Sequence, residues 1–309
     1  MLRIGSNINE VRIDGSLDAL RRDLSTFLGF GLDAAEIPVH GVDAVRNGRL
    51  DRCRTAETRA ILADFPFSYS VHAPNPLNLM DRANGPLHRD LLMASLEFCA
   101  EVGAGILVYH PGRYLAEEEF AVRGPALPER EERERLLRRE AAVLREAADA
   151  FPGVVIAMEN ARPYLHHSPY CYAELPSELL RQVNRVERSS VRITLDFGHL
   201  QMASVFYGLD PVAEVRSISA LIAHCHVHDN FGQPAYHTEK IQTHQIPLGK
   251  GDSHMPVGWG AIKFRDLFAP FLASYHGMLI CELRGRYFEH TREAADNLRA
   301  ILNHLGMGG

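Results

Sequence analysis

At 309 residues, with 46% hydrophobic and 23% charged positions, the chain has the composition of a globular protein able to bury a large core, which excludes a disordered segment. Its 39 acids against 33 bases leave a formal charge of −6, which excludes broad attraction to nucleic acid or an anionic membrane, although a local basic groove stays open. No apolar run approaches the roughly 20 residues that span a bilayer, and Met1-Leu2-Arg3-Ile4-Gly5 leads straight into a strand pattern with no signal-like segment, so the expected location is cytoplasmic.

Apolar runs and helical periodicity alternate from end to end. Strands are predicted at residues 2–8, 34–39, 67–72, 105–110, 154–159, 191–196, 223–228 and 278–283. Helical patterns fall between them at 16–29, 51–64, 86–102, 128–151, 176–187, 211–221, 264–274 and 291–305. Several begin with Ser, Asp or Pro and end near Gly, as helix termini prefer. Eight βα units with short aliphatic strands predict one domain over residues 1–309, an α/β protein of the (β/α)8 TIM barrel class. An open doubly wound sheet would carry a glycine-rich phosphate turn after the first strand, and Gly5-Ser6-Asn7-Ile8-Asn9 lacks that spacing. The mixed charges of 129–140 read as a solvated helix face. Two connections, 111–127 and 231–260, exceed ordinary loop length, and such loops often cover a site.

Cys53, Cys99, Cys171, Cys225 and Cys281 are odd in number and form no Cys-x-x-Cys pair, so reduced, mostly packing thiols are expected. The 16 histidines are about twice the number expected at an average usage of roughly 2%. Their placement carries the argument. In a parallel barrel all strands present their carboxyl ends on one face, and His72, His110, Glu159, Asp196, His226 and Glu282 end six successive strands. One such residue would read as a hydrogen-bonded structural group. Six converging on one rim would repel and desolvate one another unless a cation neutralised them. His199, Asp252 and His254 add donors of the same kinds. Mixed imidazole and carboxylate sets suit zinc, manganese, iron or cobalt rather than calcium or magnesium. His224 and His228 share the parity of His226 and are expected to face inward as packing or supporting groups.

Val71-His72-Ala73-Pro74, His110-Pro111-Gly112, Met158-Glu159-Asn160, Leu195-Asp196-Phe197-Gly198-His199, His226-x-x-Asp229 and the run from Asp252-Ser253-His254 to Gly258-Trp259-Gly260 resemble the xylose isomerase-like barrel superfamily. That superfamily holds sugar and sugar-phosphate isomerases and epimerases together with AP endonuclease family 2, the endonuclease IV-like enzymes that cut DNA at abasic sites. The resemblance spans essentially the whole chain. On the endonuclease pattern it implies three zinc ions, one held by His72, His110 and Glu159, a second by Glu159, Asp196, His226 and Glu282, and a third by His199, Asp252 and His254. On the isomerase pattern it implies a single metal held by Glu159, Asp196, His226 and Glu282, with His199 beside the substrate. Glu159 and Glu282 would then be catalytic, moving protons on opposite sides of the substrate.

Charge separates the two branches. Three divalent ions outweigh the four carboxylates and leave a cationic rim that suits a phosphodiester, whereas one ion against Glu159, Asp196 and Glu282 leaves a site suited to a neutral polyol. The negative net charge, and early loops without dense Arg, Lys and aromatic residues, favour the polyol. Trp259 also stands where the endonuclease pattern has an acid. The leading expectation is a metal-dependent sugar or sugar-phosphate isomerase or epimerase with one to three ions per chain. A zinc phosphoesterase acting on nucleic acid is the alternative, and a non-catalytic sugar-binding barrel the third reading. Arg113, Arg162 and Lys250 are the expected substrate contacts besides His199; Arg286 also lies near the rim, and Arg284 is expected to point away from it. Homo-oligomer formation is left open.

Overall fold

Short runs of Ala, Val, Ile and Leu supply the strands of the computed structural model, which describes residues 2–124, 127–239 and 243–306. They are β1 (Arg3–Asn7), β2 (Ala34–Pro38), β3 (Ser68–His72), β4 (Ile106–Tyr109), β5 (Val155–Glu159), β6 (Val191–Asp196), β7 (Ile222–Val227) and β8 (Met278–Cys281). Each pairs in parallel with the next, and β8 returns to β1 through Arg3 opposite Met278, so the sheet closes as the eight predicted βα units require. No helix among the described residues is long and apolar enough to cross a membrane. All five cysteines are unpaired, and only Cys53 is exposed.

The helical layer follows the predicted periodicity, with three differences, one being a short helix at Glu10–Ile13 ahead of the first predicted one. The pattern at 264–274 divides into a helix at Phe264–Phe268 and a single turn at Leu272–Ser274, because Pro270 has no amide to donate and restricts Ala269 before it. A helix at Phe197–Tyr207 was not predicted. It starts directly on the last residue of β6, without the intervening turn that marks most helix starts. Asp196 caps it by accepting from the His199 amide at 2.6 Å. Phe197 then packs against Phe264, Phe268 and Phe271, with ring centroids 4.8–6.4 Å apart, locking this helix onto its neighbour. Of the two long loops, 111–127 and 231–260, residues 125–126 and 240–242 lie outside the described residues.

Alternation along the strands divides the core. Outward residues meet the helices in one large apolar cluster. Inside the barrel, Ala34, Met278, Ile280 and Ile106 form a small apolar plug. Above that plug the interior turns polar, with Glu36, Ser70, Thr194 and His224 all buried. A barrel that fills its upper layers with acids and imidazoles forgoes part of the usual aliphatic packing, and the polar residues must satisfy one another or a ligand.

Candidate metal centre

Backbone hydrogen bonding brings β5 and β6 to the rim together. Asn160 bridges the two strand ends: its side-chain nitrogen donates to the Asp196 carbonyl at 2.9 Å, and its side-chain oxygen accepts from the Asp196 amide at 2.8 Å. With one oxygen of Asp196 engaged as a helix cap, Oδ2 faces His228 Nε2 at 3.1 Å and His226 Nδ1 at 3.9 Å. Around His226 Nδ1 lie Glu159 Oε1 at 3.4 Å and Glu282 Oε2 at 3.5 Å. These separations are long for hydrogen bonds and match donors that each sit about 2.0–2.2 Å from one shared ion, whose ligand-to-ligand edges are about 3.0–3.5 Å. Glu159 Oε2 and Glu282 Oε2 are buried without a hydrogen-bond partner. Glu159, Asp196, His226 and Glu282 therefore fit a divalent cation.

A second group shares Glu159. Its Oε2 lies 3.0 Å from His110 Nε2 and 3.6 Å from His72 Nε2. His72 Nδ1 donates to the Ala73 carbonyl at 2.7 Å, which points Nε2 toward the carboxylate. Behind His110, the Glu140 carboxylate accepts from Tyr109 Oη at 2.8 Å and from the Gly112 amide at 2.6 Å, anchoring both flanks of that histidine from the helix outside. This trio also fits a cation.

The third group, His199, His228, Asp252 and His254, gathers donors within 4.8 Å of one another. Its loop is pinned by Asp229, which accepts from the amides of Asn230, Gly258 and Ile262 at 2.9–3.2 Å. His254 is in the left-handed region at φ 44°, a strained setting for a non-glycine residue, and its ring stacks on His228 with centroids 3.8 Å apart. Gly198 makes room, since a Cβ there would overlap the His228 ring. Asp252 Oδ1 is buried without a hydrogen-bond partner, while its other oxygen is engaged. Asp252 Oδ2 is hydrogen-bonded to His254 Nε2 at 2.8 Å, and Arg162 Nε lies 3.4 Å from the same oxygen. These donors could also hold a cation; what sets the group apart is the guanidinium against Asp252.

Glu36 is the main residue that sequence reasoning missed. Buried in mid-strand on β2, it accepts from Ser70 Oγ at 2.9 Å and lies 2.9 Å from His224 Nε2 and 3.0 Å from His226 Nε2. His226 is thus held on one nitrogen by Glu36 while the other faces the central donors, the outer support typical of a metal-binding histidine. An acid inside the apolar run Ala34-Ala35-Glu36-Ile37-Pro38 was the available signal. Charges shift accordingly. Burial works to raise Glu36 and Glu159, yet neighbouring histidines hold both well below the usual carboxylate range, and Asp196 falls to about 2 for the same reason. Burial works to lower His72, but Glu159, Glu36 and Glu282 push it up to about 9. His110 is lowered, chiefly by burial.

A cavity of about 520 Å³ opens above these groups and is lined by His72, His110, Glu159, His199, Asp252, His254 and Glu282. Arg162 and Glu36 also reach it, as do Asn7, Asn75 and His40, none of the last three singled out beforehand. Among the expected substrate contacts, His199 and Arg162 line the cavity. Lys250 does not, and Arg113 lines an adjoining cleft, where it is tied to the Asn75 and Leu77 carbonyls and to Glu117 at 3.5 Å. Arg284 does not point away: it lines the mouth and donates to the Asp252 carbonyl. Exposed Arg286 stands beside it over the Tyr287 ring. Trp259 lies apart, donating to Glu293 at 2.8 Å.

The fold superposes on a D-tagatose 3-epimerase-like protein with a TM-score of 0.71 at 19% identity, covering 98% of this chain and 99% of that one. An L-ribulose 3-epimerase superposes at 0.67 and 14% identity, with 99% and 95% covered. A 3-keto-D-glucoside 4-epimerase from E. coli superposes at 0.67 and 15% identity, with 98% and 100% covered. At such identities these likenesses establish the fold. In sequence, an uncharacterized protein of Methanocaldococcus jannaschii is 24% identical over 241 residues, 77% of this chain and 79% of its own length. The family model described as xylose isomerase-like TIM barrel matches residues 28–305, and the chain belongs to that family.

Proposed function

We propose that this protein is a divalent-metal-dependent isomerase or epimerase acting on a sugar or sugar phosphate. The observation that carries the reading is the placement of Glu159 and Glu282 on either side of His226 Nδ1, at 3.4 and 3.5 Å, on the floor of a cavity of about 520 Å³. They come from β5 and β8, three strands apart around the ring, so their carboxylates approach a bound molecule from different parts of the wall. The volume lies within the ordinary range for small-molecule sites. That the superposed proteins include an L-ribulose 3-epimerase, a 3-keto-D-glucoside 4-epimerase and a D-tagatose 3-epimerase-like protein supports the same reading.

Glu159, Asp196, His226 and Glu282 would hold the ion. Bound there, a divalent ion supplies a Lewis acid that polarises the adjacent carbonyl and hydroxyl oxygens of the substrate. One glutamate would take the proton from the hydroxyl-bearing carbon next to the carbonyl, and the other would return a proton to the opposite face of that carbon or to the neighbouring carbon. His199 and Arg162 orient hydroxyls from the side, and Arg284 and Arg286 at the mouth suit a terminal phosphate. A cytoplasmic setting goes with the unpaired thiols. Incubation with ketoses and ketose phosphates in deuterated water is expected to place deuterium beside the carbonyl. No exchange across a broad panel would overturn the proposal.

A second reading has its own observation. Glu159 is shared between two donor groups, as a carboxylate bridging two ions would be, and a multinuclear centre favours phosphodiester hydrolysis. Nicking of abasic-site DNA by protein that exchanges no sugar proton would select it.

A further inference from the structure

Both long loops meet at Arg162. Its Nε and Nη2 donate to Tyr164 Oη at 3.1 and 2.8 Å, and Tyr164 Oη in turn donates to Glu117 Oε2 at 3.1 Å in the loop after β4. On the other side Arg162 faces the loop after β7, where Nε lies 3.4 Å from Asp252 Oδ2 and Nη1 lies 3.2 Å from His199 Nε2. The side chain is 18% exposed, so this geometry is set by packing rather than by solvent.

A guanidinium has donors and no acceptor, so the contact with His199 requires a lone pair on Nε2. The other ring nitrogen agrees: Nδ1 lies 2.8 Å from the Asn160 carbonyl and donates to it. His199 Nε2, the ring nitrogen that could bind a cation in the third group, lies 3.4 Å from Asp252 Oδ2 and already has the Arg162 guanidinium against it at 3.2 Å. Asp252, the carboxylate of that group, already meets one positive charge from the same arginine. A divalent ion added there would share a buried site with a guanidinium and be repelled by it. In the first two groups the carboxylates face imidazoles at 3.0–3.9 Å.

We propose that Arg162 stands in for a third cation, closing the His199–His228–Asp252–His254 cluster so that the chain binds divalent ions at the first two groups and none at the third. Arg162 is then a specificity-determining residue: it limits the metal count and supplies a fixed donor beside the cavity. The metal count is independent of the reaction, while the consequence for sugar binding rests on the function proposed above.

The test is metal content after saturation with zinc sulfate and gel filtration in metal-free buffer, read by mass spectrometry on the full chain. Wild-type protein is expected to retain no more than two ions, and Arg162→Met one more than wild type. His254→Ala removes a donor of the third group, and its Nδ1 also lies 2.9 Å from the Glu282 carbonyl and 3.4 Å from Glu282 Oε2; it is expected to leave the wild-type count unchanged and to abolish the gain in Arg162→Met. Three ions in wild type, falling to two in His254→Ala, would overturn the proposal whether or not Arg162→Met folds. So would a folded Arg162→Met that takes up no extra ion. Deuterium exchange measured on the same wild-type sample keeps the two proposals apart: exchange with three ions sinks the metal count alone, and two ions without exchange sinks the sugar reading alone.

Discussion

The central donors and the loop-borne donors are the same chemical kinds, yet they are held in different ways. Glu159, Asp196, His226 and Glu282 stand within one residue of the ends of β5 to β8, in a ladder that pairs Asp196 with His226. That backbone keeps their atoms 3.4–3.9 Å apart, wider than they would choose if free to pair. Asp252 and His254 ride on a loop fixed mainly through Asp229, and they collapse into a 2.8 Å hydrogen bond with Arg162 beside them. Rigid strands can hold like or mismatched donors open for a ligand; a loop satisfies its own polar groups first.

The sharpest way to break this contrast is Glu282→Gln. If the strand-borne group is the reacting one, turnover should fall about 10²–10⁴-fold with the circular dichroism spectrum unchanged. Unchanged turnover in a sugar-exchange assay would remove the proton-transfer role. Next comes the support behind the strands. Glu36→Gln removes the carboxylate facing His226 Nε2 at 3.0 Å, and chelator competition should show metal affinity weakened about 10–100-fold.

A smaller effect is expected at Glu140, which accepts from Tyr172 Oη at 2.7 Å and Gln182 Nε2 at 2.9 Å as well as from Tyr109 and Gly112. Glu140→Gln should cost about 1–3 kcal/mol in urea unfolding at neutral pH, because a donor then faces donors. Burial pushes this carboxyl up from its ordinary 4.5, against those hydrogen bonds. Between 4.5 and the raised folded value, the folded state keeps a proton that the unfolded chain has lost. Its contribution to stability is thus full below about pH 4.5 and declines as pH rises through the folded value. The wild type should show that decline relative to Glu140→Gln, and a pH-independent difference between them would refute it.

Legibility followed the backbone. The eight strands and the six residues ending β3 to β8 could be placed because period-2 and helical patterns are local, and strand ends in a parallel barrel share one face by construction. Glu36 was passed over because a single acid within five residues carries no pattern; its role appears when β2 and β7 face each other across the barrel, 188 residues apart at the His224 contact. The helix at Phe197–Tyr207 was hidden because Asp196 ends a strand and caps a helix at once. Arg284 was expected to point away from the rim, and its turn toward Asp252 depends on where a distant loop lands.

By itself the sequence determined the barrel, the rim and the kinds of donor gathered there, since each follows from local periodicity and from parallel closure. Only the tertiary structure decided that Glu36 backs His226 and that Arg162 lies against Asp252. Both depend on distances between side chains far apart in the chain, which no local pattern encodes.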